Sequence, residues 1–386
     1  MTVRRLRPHA STIFSEVSQL ATRHGAINLG QGFPDTDGPA SMLEAAARAM
    51  REGHNQYPPG QGVPELRAAV ADHVAEHTGL RHDPDTEVLV TVGATEAIAG
   101  AVLGLVEPDD EVVVIEPYYD SYAATVAMAG ATRRSARLVR DGDSFRLDVE
   151  SLRAAFSPRT RAVLVNTPHN PTGAVLPRED LQAIADLCHE FDAIAISDEV
   201  YEHLTFDGVE HVSIATLPGM RERTVRISSA AKMLNCTGWK IGWLTGPEDL
   251  VAGARTAKQY LSYAAGTPLQ LGVAHALRHE GAWIEELRAS MQARRDRLAA
   301  ILSGIGLDLA VTRGTYFLTA DPRPLGVTDA AAWCLALPEE VGVAAVPFAP
   351  FVDRFAGDFS HLVRFAFCKR PEVLEEAGER LRALAR

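Results

Sequence analysis

The chain has 386 residues, 46% of them hydrophobic, and a formal net charge of -12; that length buries a sizeable core, more naturally as two domains than as one. The negative charge argues against nucleic acid or an anionic membrane surface as partner, since a binding face would have to attract their phosphates. Nowhere do about 18 apolar residues run together as a spanning helix requires, Met1 to Ala10 is arginine-rich without an apolar signal core, and Cys188, Cys236, Cys334 and Cys368 show no CxxC spacing, so a cytoplasmic protein with isolated reduced thiols is expected rather than a zinc cluster or disulfide framework.

From the N-terminus, Asn28-Leu29-Gly30-Gln31-Gly32-Phe33-Pro34 reads as a loop in which Gly32 permits close backbone approach. It lacks the third glycine of a dinucleotide fingerprint and opens no helix, so a nicotinamide enzyme is not expected. His73-Val74-Ala75-Glu76-His77 fits the HxxEH pattern of some zinc proteases and sets both imidazoles on one helix face. No second ligand motif accompanies it; a solvated helix face and no metal are expected. Glu87 to Val92, Glu111 to Glu116, Arg161 to Asn166, Ala193 to Ser197 and Thr224 to Ser228 read as short strands, separated by helical periods such as Thr95 to Val106 and Arg178 to Phe191. This alternation predicts a mostly parallel sheet covered on both faces. Trp283 to Leu302 is a long amphipathic helix leaving that sheet, and Leu307 to Leu318, Val343 to Pro347 and His361 to Phe367 are expected strands of a smaller domain, closed by a helix from Pro371 to Leu384. There is no repeat, low-complexity tract or long linker.

Lys232 carries the most chemical information. A lysine normally stays in water as an ammonium with a pKa of about 10.4. In Ser228-Ser229-Ala230-Ala231-Lys232, followed by Gly238-Trp239-Lys240-Ile241-Gly242-Trp243, small residues crowd the amine beside a strand, where the neutral nucleophile is favoured and can anchor a cofactor aldehyde. A surface lysine after a strand fits that motif alone equally well. Asn166-Thr167-Pro168-His169-Asn170-Pro171-Thr172-Gly173 and Ser197-Asp198-Glu199-Val200-Tyr201 each follow a buried apolar run, and ligands of open α/β sheets bind at the carboxyl ends of strands, so Asn170, Asp198, Tyr201 and Lys232 converge on one crevice.

These separated motifs, in this order and over nearly the whole chain, resemble the class I pyridoxal-phosphate aminotransferases of fold type I. The resemblance implies an α/β architecture: a large domain (45–282) with a mostly parallel seven-stranded sheet, and a smaller discontinuous α+β domain made of 283–386 together with part of an N-terminal arm (1–44). Lys232 becomes the Schiff-base lysine of pyridoxal 5'-phosphate and the base that moves a proton between the substrate α-carbon and the cofactor C4′. Asp198 faces the protonated pyridine nitrogen and keeps the ring an electron sink, a helix N-cap being the alternative. Tyr201 and Asn170 bond the phenolic oxygen, although Asn170 also suits an ordinary turn. The cofactor phosphate falls to the backbone N–H groups of Ala94 and Thr95 at a helix N-terminus, the Thr95 hydroxyl, Ser229 and Lys240; Glu96 in the same turn would have to point away. Tyr119 stacks on the ring, with Tyr118 as the other candidate.

Asn55-Gln56-Tyr57-Pro58-Pro59-Gly60 resembles the family loop that places a tyrosine hydroxyl, Tyr57, on the other subunit's phosphate, which implies a homodimer with shared sites, and Tyr263 reaches into the neighbouring site in the same way. Arg364, alternating with Val363 and Phe365 on a strand, offers a guanidinium fork for a substrate α-carboxylate, with a structural salt bridge as the alternative. Gly32 and Phe33 lie on the loop that closes over substrate. Gly-Trp-Lys at 238–240, where many members carry Arg, is similar to the kynurenine, glutamine and methionine aminotransferase branch. Asn235-Cys236-Thr237-Gly238-Trp239-Lys240, Lys258-Gln259-Tyr260-Leu261-Ser262-Tyr263 and Ala320-Asp321-Pro322-Arg323-Pro324-Leu325-Gly326 resemble actinobacterial N-succinyldiaminopimelate aminotransferases, which implies transfer between an amino acid and a 2-oxo acid with N-succinyl-LL-diaminopimelate and glutamate as the candidate pair. The same scaffold supports β-elimination from cysteine conjugates. An aminotransferase-like transcription regulator would need a basic helix-turn-helix domain ahead of Tyr57, for which there is no room.

Overall fold

Aliphatic, β-branched runs build the centre of the protein. The structure, a computed structural model, describes residues 2–10 and 12–385; Met1, Ser11 and Arg386, which the expected arm and small domain include, lie outside the described residues. The strands are β1 (Ile27–Asn28), β2 (Val88–Val92), β3 (Glu111–Glu116), β4 (Thr132–Asp141), β5 (Ser144–Leu147), β6 (Thr160–Asn166), β7 (Ile194–Asp198), β8 (Thr224–Ser229), β9 (Ile241–Thr245), β10 (Asp308–Leu309), β11 (Phe317–Asp321), β12 (Val343–Ala344), β13 (Val346–Pro347) and β14 (Val363–Ala366). The large sheet runs β2-β9-β8-β7-β6-β3-β4-β5. Strands β4, β3, β6, β7 and β8 are parallel, and β9 is antiparallel to β8 and to β2.

Both faces of this sheet are dry, which is why its inner strands read as unbroken apolar runs. Val113, Ile115, Val163, Val165 and Ala195 pack one way, against Leu152 of helix Val149–Ala155 and Leu181, Ile184 and Ala185 of helix Arg178–Glu190. Val112, Val114, Leu164, Ile196 and Ile227 pack the other way, against Ile98, Ala101 and Val102 of helix Gly93–Leu105 and Leu250, Val251 and Ala254 of helix Glu248–Lys258. No described helix is long and apolar enough to cross a membrane.

The expected seven strands are eight. Strand β5 folds back antiparallel on β4 around Gly142-Asp143, with Gly142 at φ 60°. This hairpin is half exposed and rich in arginine, so it has no apolar run to announce it; only its Gly-Asp turn does. The expected strand Leu307 to Leu318 is also broken, into β10 and β11. Between them Thr315 takes φ 68° and the Arg313 and Gly314 N–H groups donate to the Gly173 carbonyl instead of to a neighbouring strand. Val343 to Pro347 likewise divides: β12 pairs in parallel with β1, while β13 pairs antiparallel with β14 in the second sheet, β10-β11-β14-β13. The N-terminal segment is thereby joined to the C-terminal part of the chain.

Behind the end of β7 lies a buried ionic network. Glu199, fully out of water, accepts from Arg226 Nε at 2.7 Å, His211 Nε2 at 2.9 Å, Ser213 Oγ at 2.7 Å and Ser197 Oγ at 2.8 Å, and Arg226 also pairs with Glu202. Burial pushes the Glu199 carboxyl up, but Arg226 and His211 outweigh it and hold the group at about 2. A buried carboxylate so fully bonded fixes the loop that follows it, which carries Tyr201.

Candidate active site

Five parallel strands, β2, β8, β7, β6 and β3, end on the same edge of the large sheet, and a cavity of about 470 Å³ opens there. Asp198 is the last residue of β7 and Lys232 follows the end of β8 by three residues. Asp198 is 4% exposed; Tyr122 Oη donates to its Oδ2 at 2.6 Å and the Val200 N–H to its Oδ1 at 3.3 Å. Burial raises its pKa to about 6 against the pull of the Tyr122 hydrogen bond. Burial acts on Lys232 in the opposite sense and lowers it to about 8, which makes the free amine accessible near neutral pH. Its Nζ donates to Tyr316 Oη at 2.9 Å and lies 5.6 Å from the Tyr201 ring centroid. Tyr201 is buried edge-on to Tyr316, and desolvation pushes its phenol well up.

Beside these groups is a cradle for an anion. Gly93 opens helix Gly93–Leu105 at φ 74°, so the Ala94 and Thr95 N–H groups stand at a helix N-terminus facing the cavity. A Cβ on Gly93 would sit 3.1 Å from Lys240 Nζ, and one on Gly242 would strike the Gly93 backbone at 2.6 Å; glycine at both places keeps the cradle open and brings Lys240 over it. Glu96 turns back to accept the Val92 N–H at 2.6 Å, which removes its charge from the cradle. A phosphate, a cationic ring nitrogen for Asp198 and an aldehyde for Lys232 fit this donor set.

Arg364 enters from the second sheet on β14 and is 1% exposed. Nη1 donates to Asn170 Oδ1 at 2.7 Å, Nη2 donates to the Gly30 carbonyl at 2.8 Å, and the guanidinium lies 3.8 Å over the Phe317 ring. Burial lowers it to about 10, which leaves it cationic at neutral pH. No Asp or Glu pairs with it among the described residues, so its charge is open to a ligand in the cavity rather than spent on a structural ion pair.

The model of the class I and II aminotransferases matches residues 24–381. The chain belongs to that family. It is a pyridoxal-phosphate-dependent aminotransferase, moving an amino group between an amino acid and a 2-oxo acid. It is 59% identical over 392 residues to the N-succinyldiaminopimelate aminotransferase DapC of Mycobacterium tuberculosis, spanning 100% of this chain and 99% of that protein. The solved structure of the Mycobacterium tuberculosis enzyme superimposes with a TM-score of 0.98 over 100% of both chains. The methionine aminotransferase of Escherichia coli is 40% identical over 375 residues, covering 97% of this chain and 96% of that one.

Within the aminotransferase cavity the structure gathers Ala94, Thr95, Tyr119, Asn170, Asp198, Tyr201, Ser229, Lys232, Lys240, Gly32, Phe33 and Arg364. Of the two adjacent tyrosines Tyr119 reaches the cavity, while Tyr118 is packed beneath the sheet. A Cβ on Gly32 would lie 2.5 Å from Phe317 Cζ, and its carbonyl accepts from Tyr316 Oη. Phe33 is 43% exposed at the rim, with Lys369 Nζ 3.8 Å over its ring. Tyr57 and Tyr263 do not join them. They meet edge to face on the surface, 87% and 46% exposed, with ring centroids 5.7 Å apart.

Two groups at the site were not anticipated. Tyr122, in the first turn of helix Ser121–Ala129, meets the Tyr119 ring edge to face at 5.8 Å, but its bond to Asp198 spans 76 positions; Tyr316 reaches Lys232 across 84. The solvated helix face expected for His73 and His77 holds for His77, which is exposed, and fails for His73: it is 4% exposed, and its Nε2 lies 2.9 Å from His203 Nε2. Tyr122 yields a direct test. Tyr122→Phe removes the bond that opposes desolvation, so the Asp198 pKa rises further above its present value of about 6. Infrared titration of the carboxyl stretch in cofactor-free protein reads this, and a midpoint equal to or below that of the unmutated protein contradicts it.

Proposed function

We propose that this aminotransferase acts on N-succinyl-LL-diaminopimelate, the substrate class in the name of its 59% identical relative, with glutamate and 2-oxoglutarate as the donor and acceptor pair. The observation that carries the chemistry is the meeting of Lys232, Asp198 and Arg364 around one cavity, an amine, a carboxylate and a guanidinium that form no salt bridge among the described residues. Bound here, pyridoxal 5'-phosphate supplies an electron sink for the pair left at the substrate α-carbon and carries the amino group from one substrate to the other. Lys232 would anchor it, with Asp198 for the pyridine nitrogen, Tyr201 and Asn170 for the phenolic oxygen, and Tyr119 for the ring face. Ala94, Thr95, Ser229 and Lys240 hold the phosphate.

Arg364 grips the α-carboxylate of each substrate with its fork, and Asn170, already bonded to Nη1, aligns it. Once the carboxylate is fixed, the α-carbon lies within reach of Lys232 Nζ, which takes the α-proton and holds it for redelivery; a pKa lowered by burial suits both directions near neutral pH. Gly32 and Phe33 close over the substrate and exclude water. The exposed Tyr57 and Tyr263 serve the neighbouring cavity in a homodimer, where Tyr57 of the partner subunit adds a hydroxyl to the phosphate. A division into 1–44, 45–282 and 283–386, with the first and last parts joined through β1 and β12, accompanies this reading. Four free, buried cysteines suit a cytoplasmic location.

With N-succinyl-LL-diaminopimelate and 2-oxoglutarate the enzyme forms glutamate. Since charged hydrogen bonds contribute about 1.5 to 3 kcal/mol each, Arg364→Ala lowers kcat/KM by roughly 10³-fold, and Arg364→Lys recovers part of it. The cofactor spectrum stays unchanged. An Arg364→Ala protein with wild-type kcat/KM removes the carboxylate role, and activity confined to other amino acids removes the substrate.

Shared sites are tested by mixing. Lys232→Ala and Tyr57→Ala chains, each impaired alone, regain activity when subunits exchange, because one cavity of each mixed dimer then holds both native residues. No recovery in mixed dimers contradicts the arrangement.

A further inference from the structure

His73 and His77 stand one turn apart on helix Pro64–Thr78, and His203 reaches them from the turn that follows β7. The three imidazoles form a compact group, with ring centroids 4.2, 4.9 and 4.7 Å apart and one ligating nitrogen from each within 4.8 Å of the others. None of the three lines the catalytic cavity. We propose that His73, His77 and His203 bind a divalent transition-metal ion of the zinc type, at a site separate from the one that holds the cofactor.

Tautomers support this. His77 Nδ1–H donates to the His73 carbonyl at 2.8 Å, so the lone pair of His77 is at Nε2; a backbone bond of this kind is what commonly orients a metal-binding imidazole. His73 Nε2 and His203 Nε2 are 2.9 Å apart, a contact in which one proton is shared and at least one nitrogen offers a lone pair. A metal ion takes the place of that proton. Two imidazoles bound at about 2.0–2.1 Å in a tetrahedral site stand roughly 3.3 Å apart, so the rings need to part by only a few tenths of an ångström.

The chemistry of the group selects the ion. Three imidazoles without a carboxylate suit zinc, nickel, cobalt or copper and not magnesium or calcium. The neighbouring Arg226 is committed to Glu199 and Glu202, so its charge is balanced and does not oppose the incoming ion. His73 is buried while His77 is exposed, giving an entry path and room for a water as fourth ligand. Bound there, the ion cross-links helix Pro64–Thr78 to the turn that carries Tyr201, two residues before His203.

The test uses tag-free holoenzyme stripped of metal with a chelator and equilibrated with Zn²⁺, followed by metal analysis and thermal denaturation; Co²⁺ serves as a spectroscopic probe. One equivalent of Zn²⁺ binds per chain, the denaturation midpoint rises, and Co²⁺ gives the intense visible bands of a tetrahedral site. His77→Gln, at an exposed position that leaves turnover unchanged, loses the equivalent and the thermal shift, as does His203→Gln. His275→Gln keeps both; His275 and His279 form a tilted pair, 4.7 Å apart, with no third imidazole grouped with them among the described residues. Failure of Zn²⁺ to bind, or binding that survives His77→Gln and His203→Gln, overturns the proposal.

Discussion

Asp198 is buried and Lys232 half-buried beyond the ends of adjacent strands, at the wall of one cavity, and most of the structure serves that constraint. Desolvation penalises the charged form of each, so the carboxyl rises to about 6 and the amine falls to about 8. Neither arrangement survives without support. Tyr122 reaches Asp198 from the helix after β3, Tyr316 reaches Lys232 from the start of the second sheet, and the Glu199–Arg226 pair anchors the chain just beyond Asp198. The parallel sheet matters because it brings these strand ends to one edge and shields both faces; a twisted two-sided core is rigid where a surface loop is not.

The second sheet contributes through Arg364 and Phe317, and through the contact of Tyr316 with Gly32. Three segments far apart in sequence, the N-terminal glycine loop, the Asn170 turn and β14, therefore meet at one guanidinium. The Gly30 carbonyl and Asn170 Oδ1 already occupy two of its nitrogens, so the fork is aligned before a carboxylate arrives and less ordering is required on binding. Tyr316 links the glycine loop beside Arg364 to the Lys232 amine through one hydroxyl.

The central strands were legible because a strand buried on both faces must be apolar throughout: β3 begins and ends where its sequence does, and β6, β7 and β8 shift by a residue. The β4–β5 hairpin was not, since an edge exposed to solvent tolerates Arg133, Arg134, Arg137 and Arg140. Lys232, Asp198 and Arg364 could be picked out as charges set in apolar or small-residue surroundings. Tyr122, Tyr316 and His203 could not, because each acquires its place from a neighbour 76 to 130 positions away, and a tyrosine or histidine carries no local mark of that. The turn of Glu96 back onto Val92 resolved a conflict that residue order alone leaves standing.

A single-turnover half-reaction separates transfer of the α-proton by Lys232 from elimination of a leaving group. Holoenzyme mixed with an amino acid donor and no acceptor should yield one equivalent of 2-oxo acid per active site, leave the cofactor as pyridoxamine phosphate, release no ammonia, and do none of this after Lys232→Ala. Continued turnover without acceptor, with ammonia released and the cofactor unchanged, would contradict it.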